Sequence, residues 1–203
     1  MTDSTTAVQM ALFALATSAT PGPVNVLSAM SGARFGVWRS MPYVLGASTS
    51  FVTVLIILGL GFQAISGLIG RSSLAFTLVG ASYMLYLAWQ IAIDNGKLSF
   101  EETQSSCPGF FAGLVTQALN PKAWIVSLSA ITIYVSPHHD YSARLVMFSA
   151  IFCFICAASL TTWVAIGAQF ARFNGNVALF NRVMAGVLAF SVIGIVIKEL
   201  SPR

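Results

Sequence analysis

Residues 17–25 read Thr17-Ser18-Ala19-Thr20-Pro21-Gly22-Pro23-Val24-Asn25, and residues 116–122 read Thr116-Gln117-Ala118-Leu119-Asn120-Pro121-Lys122. Both stretches place proline and amide side chains inside long apolar runs. A proline removes one N–H from a helix and leaves the carbonyl four residues back without its donor. Pro21 and Pro23 are thus expected to free the carbonyls of Thr17 and Ala19, and Pro121 that of Gln117. Gly22 has no side chain, so a ligand can meet the backbone there. Asn25 is expected to open the half-helix after the break, with an amide that both donates and accepts. Unpaired amide hydrogens at a helix start suit a carboxylate, and freed carbonyls suit an ammonium group. Together they complement an amino-acid zwitterion. The candidate substrate-binding residues are Thr17, Pro21, Gly22, Pro23, Asn25, Gln117, Asn120, Pro121 and Lys122. A packing kink is the plainer account of one proline; Pro-Gly-Pro followed by Asn favours a site.

Lys122 is the only charged residue deep inside an apolar run. A lysine at the centre of a membrane helix costs about 2.5–3.5 kcal/mol, so it should face the bundle interior or a wet cavity. Binding a substrate carboxylate or gating the cavity are the roles it suits. The six acidic residues, Asp3, Asp94, Glu101, Glu102, Asp140 and Glu199, fall at termini, loops or span ends. With no buried carboxylate for a cationic side chain, a neutral substrate is favoured over a dibasic one. Cys153 and Cys156 have redox spacing but lie in an apolar run, where small buried hydrophobes are the plainer reading. His138 and His139 read as a solvated turn, and no metal site or cofactor is expected. The spans hold no nucleophile–base–acid set, so the chain is not expected to be an enzyme.

These residues need helices that cross a bilayer. Of 203 residues, 57% are hydrophobic and 8% charged, with a mean hydropathy of +0.82; soluble domains carry about 25% charge. The ten basic residues are scattered, so the net charge of +4 implies no nucleic-acid partner. The first residues lack Lys and Arg, so no cleaved signal peptide is expected. Apolar runs predict six membrane helices at about 7–30, 41–64, 74–93, 110–134, 145–170 and 179–197. Small residues such as Gly46, Ala47, Ser50, Gly80, Ala81, Ser82, Ala157, Ala158 and Ser159 read as close helix packing.

The polar stretch 94–108 divides the chain into a first three-helix repeat (1–93), a linker loop (94–108) and a second three-helix repeat (109–203). An odd number of spans per half makes the second half run oppositely, as in inverted-repeat transporters. The expected fold is an all-α membrane protein of six transmembrane helices in a 3+3 inverted-repeat arrangement. Arg34 and Arg39 follow the first span and no basic residue precedes it, which places both termini outside the cytoplasm.

Thr20-Pro21-Gly22-Pro23, then Gly32-Ala33-Arg34-Phe35-Gly36 and Gly46, resembles the N-terminal signature of the LysE/RhtB amino-acid exporters. Gly80-Ala81-Ser82-Tyr83-Met84-Leu85-Tyr86-Leu87-Ala88-Trp89 is similar to that family's third-helix pattern. The stretch from Phe110 to Lys122, ending Gln117-Ala118-Leu119-Asn120-Pro121-Lys122, is similar to its fourth-helix motif. Val24 stands where many members carry Asn, and Asn25 matches a second Asn often found next. The resemblance implies secondary active export of amino acids or close derivatives across the bacterial inner (cytoplasmic) membrane, driven by a gradient of H+ or another ion. Family substrates include lysine and arginine, homoserine and threonine, leucine, and cysteine or O-acetylserine. A homodimer is expected from the small size. The rival readings are a membrane thiol–disulfide carrier using Cys153 and Cys156, and a non-transporting scaffold subunit; both leave the paired breaks without a use.

Overall fold

Pro21-Gly22-Pro23 interrupts the first apolar run. Helix α1 (Ser4–Ala19) stops short of it, and α2 (Pro23–Phe35) starts with Pro23 in its first turn, where no N–H is needed. The two helices are bent by 62° at this break. In this computed structural model the described residues are 4–61, 107–136, 140–172 and 177–200. Leu78, Ala81, Ser82, Leu85, Tyr86, Ala88, Trp89 and Ala92 are also described, each as helical. The rest of the expected third span, residues 94–106 of the linker loop, and His138 and His139 lie outside the described residues.

Gly36, with φ +78°, turns the chain between α2 and α3 (Val37–Leu60), a backbone region that disfavours any side chain. Pro42 sits inside α3 and does not end it. The second apolar half repeats the broken pattern. Helix α4 (Phe110–Ala118) ends at the Leu119–Asn120 turn, and α5 (Pro121–Ala130) begins on Pro121. A π-helical turn, Ile131–Val135, extends α5 and closes with Ser136 N–H donating to the Ile131 carbonyl at 2.8 Å. Helices α6 (Tyr141–Arg172) and α7 (Val177–Leu200) complete the described chain, whose regular elements are all helical.

At 24 and 32 residues, α3 and α6 are long and apolar enough to cross a membrane, and the bent α1–α2 pair adds a third such span. The expected spans at 7–30, 41–64, 110–134, 145–170 and 179–197 all fall on helices, shifted by a few residues at their ends.

Residues are distributed for a lipid surround. Phe111, Val146, Phe154 and Phe190 point outward, each at least 69% exposed, while Asn25, Ser28, Ser48, Gln117, Asn120 and Ser127 are buried. Lipid is as apolar as leucine, so helices associate through close packing and polar contacts. Each half donates its long helix to the other half's broken one: α3 packs on α4, and α6 packs on α1 and α2. Glycines make both seams close. A Cβ at Gly46 would strike the Phe110 carbonyl and one at Gly113 that of Tyr43; Gly32 faces the Val164 carbonyl and Gly167 that of Ala29. The Cys107 thiol also donates to the Arg39 carbonyl at 2.8 Å, tying the start of α4 to that of α3. At the opposite end, the rings of Phe13, Tyr134 and Phe148 meet edge to face with centroids 5.4–6.1 Å apart. That cluster joins α1, the π turn and α6.

Candidate functional site

The two breaks meet. Lys122, in the first turn of α5, extends its ammonium to the Thr20 carbonyl at the end of α1, with Nζ 2.8 Å from the oxygen across 102 residues of sequence. It passes over Gly22, where a Cβ would lie 3.3 Å from both Cδ and Nζ of the lysine. Gly22 therefore makes room for the lysine arm, a different use from the ligand contact expected of it. Lys122 is half-buried.

Around the first break, carbonyls are exposed by the end of α1 and then claimed by side chains. Asn25 Nδ2 donates to the Ser18 carbonyl at 2.7 Å, and Ser159 Oγ from α6 donates to the same oxygen at 2.9 Å. Thr17 and Thr20 turn their hydroxyls back onto their own helix, Thr17 to the Phe13 carbonyl at 2.8 Å and Thr20 to that of Ala16. Asn25 does not open α2, as expected from sequence; Pro23 does, so Asn25 lies in the first turn with its amide free to reach back. Pro21 and Pro23 shape the break without lending it a polar group.

Around the second break, Asn120 caps α5: its Oδ1 accepts from the Lys122 backbone N–H at 3.1 Å, and its Nδ2 donates to Gln117 Oε1 at 2.9 Å. The cap fixes the first turn of α5, and with it the root of the lysine arm. The Gln117 carbonyl, expected to be left free by Pro121, accepts from the Asn120 N–H at 3.1 Å, because the chain tightens into a shorter turn. Trp124 Nε1 donates to the Ala118 carbonyl at 2.7 Å and braces the same turn.

A cavity of about 30 Å³ lies between these groups, room for one or two waters. Thr17, Asn25, Gln117, Asn120 and Lys122 line it; Pro21, Gly22, Pro23 and Pro121 do not. Five of the nine sequence candidates thus reach the cavity directly, and the other four set the breaks that bring them there. Val24 lines it too, with an apolar side chain. Sequence reasoning missed the opposite wall, Phe51 from α3 with Phe152, Cys156 and Leu160 from α6. It also read Ser159 as a packing residue, though its hydroxyl serves the Ser18 carbonyl. The three α6 residues carry a signal in their spacing of four, which marks one helix face, but nothing local says what that face meets. Cys153 is exposed and Cys156 buried, and both are free thiols.

Among the described residues no carboxylate lines the cavity, and the Lys122 ammonium is the one full charge they bring to it. The arrangement can offer a cation to an anionic group and, once the lysine turns away, the Thr20 carbonyl to a cationic one. A bundle that is apolar outside and polar inside, with two broken helices facing each other across a small cavity, belongs to the class of membrane transporters. The chain belongs to the family of LysE type translocators, whose profile matches residues 15–200; this is the LysE/RhtB family. It is 31% identical over 188 residues to a cysteine/O-acetylserine efflux protein of Klebsiella pneumoniae subsp. pneumoniae, covering 92% of this chain and 94% of that one. It is 26% identical over 186 residues to the proteins of the same description in Escherichia coli O157:H7 and in strain K12, covering 90% of this chain and 93% of each. No solved structure matches the chain.

Proposed function

We propose that this translocator is a secondary active exporter of neutral amino acids or their close derivatives, moving them out across the bacterial inner membrane in exchange for H+. The observation that carries the reading is the Lys122 ammonium resting on the Thr20 carbonyl beside a cavity that Lys122 lines and that, among the described residues, no carboxylate lines. A substrate carboxylate takes the place of that carbonyl on Lys122, and the substrate ammonium takes the Thr20 carbonyl so released; the Ser18 carbonyl joins it only by exchanging Asn25 or Ser159 for the substrate. The two ends of a zwitterion thereby replace an internal contact, and a cationic side chain finds no partner. The efflux proteins to which the chain is similar are described by two neutral substrates, cysteine and O-acetylserine, which agrees with this choice.

The cavity is too small for an amino acid, so the two breaks must part to admit one and close to hold it. Six spans in a 3+3 inverted repeat, 1–93 and 109–203 about a linker at 94–108, would give each half one broken helix to rock. Support for the repeat comes from the matching breaks, each with proline in the first turn of its second piece, and from the exchange of long helices between halves. Both termini would lie outside the cytoplasm, and the protein would work as a homodimer. The nine residues named from the sequence form the site, five as lining and four as hinges.

The test is efflux from proteoliposomes preloaded with labelled cysteine, O-acetylserine, threonine, leucine or arginine, with and without an imposed proton gradient. Neutral substrates should leave faster than from protein-free vesicles, and faster still with the gradient. Efflux of arginine in preference to all of them, or of none, would overturn the proposal.

A further inference from the structure

The cavity lining is part polar and part apolar, and only the polar part has a use so far. Phe152, Cys156 and Leu160 follow one another at intervals of four along α6 and present one stripe to the cavity. They are 1%, 4% and 3% exposed, so the stripe is part of the packed interior. Phe51 of α3 lies against it, its ring stacked on that of Phe152 with centroids 4.3 Å apart and planes 12° from parallel. Two stacked rings at full burial cannot yield without unpacking α3 from α6. Within the stripe Cys156 is by far the smallest member, a notch between a phenyl ring and a leucine.

We infer that this apolar wall is the subsite for the substrate's side chain, and that Cys156 sets the size of side chain it admits. The inference rests on the amino-acid export proposed above. An α-amino acid held by its charged ends at Lys122 and the Thr20 carbonyl has its side chain directed away from them, toward an apolar lining made by the four residues of this wall together with Val24, Ala123 and Val126. Phe51 and Phe152 form the rigid side, and Leu160 closes the far side. A side chain of the bulk of cysteine or threonine fits a notch left by a cysteine; an aromatic one does not. In a hydrophobic pocket each methylene of mismatch changes selectivity about 10–200-fold, so a change at position 156 is large enough to read.

The experiment measures export from proteoliposomes of a size series, alanine, cysteine, valine, leucine and phenylalanine, by the wild type, Cys156→Ala and Cys156→Leu. Enlarging the notch should raise leucine export relative to alanine at least about tenfold. Filling it should lower that ratio by a similar factor. If Cys156→Leu does not fold, the notch is filled with methyl and then benzyl methanethiosulfonate in a Cys107→Ser/Cys153→Ser variant, whose one remaining thiol is Cys156, with the same variant carrying Cys156→Ala as the unreactive control. The larger adduct should block leucine before alanine. A leucine-to-alanine ratio that stays within about twofold of wild type in Cys156→Ala, while export itself persists, overturns the subsite and leaves the exporter standing. A wild type that exports no amino acid overturns both.

Discussion

Replacing Lys122 by Met separates function from stability. In the native protein the ammonium gains a charged hydrogen bond to the Thr20 carbonyl at 2.8 Å, worth about 1.5–3 kcal/mol net. Against this stands the cost of a lysine inside a membrane helix, about 2.5–3.5 kcal/mol. Methionine fills much the same length without either. Thr20 sits at the break beside the cavity-lining Lys122, where water entering the site can take its carbonyl when the lysine goes. The balance runs from a loss of about 0.5 to a gain of about 2 kcal/mol, so thermal unfolding in detergent should occur near or above the wild-type midpoint. Export should behave oppositely. Losing one charged contact to the substrate carboxylate, again about 1.5–3 kcal/mol, lowers kcat/KM roughly 10–150-fold. The assay pairs a thermal melt with labelled threonine efflux from proteoliposomes at matched protein density. Efflux within about twofold of wild type would refute the carboxylate role. Lost efflux together with a large fall in the melting midpoint would make Lys122 a structural latch instead.

Gly167→Ala drives a methyl into the Ala29 carbonyl at the α2–α6 seam; it should cost about 1–3 kcal/mol, seen as a lowered thermal midpoint, while Gly186→Ala inside α7, whose methyl meets none of the described residues, should keep or slightly raise the midpoint. Gly36→Ala forces a side chain into φ +78° and should destabilise by about 1–3 kcal/mol in the same melt. Asn120→Ala removes the α5 cap and the partner of Gln117; a loss of about 1 kcal/mol should come with reduced export, and Asn120→Ser, which keeps an uncharged capping oxygen, should recover part of the stability.

Much of this protein is legible one residue at a time. Burying apolar side chains in a bilayer requires about 20 of them in a row, and α3 and α6, the two long apolar helices, lie where composition alone puts them. Pro-Gly-Pro and Asn-Pro fall where the helices break, because proline cannot donate and the chain must begin again. Pro42 limits that rule. A single proline early in a long, well-packed helix is absorbed, whereas Pro21-Gly22-Pro23 removes two donors around a residue with no helix preference. Lys122 stands out by its cost in lipid, a property of the residue and its surroundings that needs no partner to be known.

What the tertiary fold decided is who meets whom. The sequence marks Lys122 as needing a polar neighbour, but the Thr20 carbonyl that supplies it is 102 residues away. Ser18 shows no special signal, yet its carbonyl takes Asn25 from the next helix and Ser159 from 141 residues on. Gly46 reads as a generic small residue, and Gly113 and Gly167 carry no signal of their own, until the facing carbonyl is in place. Phe51 and Phe152 read as lipid-facing or core with equal ease, because an apolar side chain satisfies both media. Local chemistry therefore fixes where this chain must cross and where it must break. Only the packing of α3 and α6 against the opposite halves decides that the breaks face each other, since that contact is a property of two distant surfaces and of neither alone.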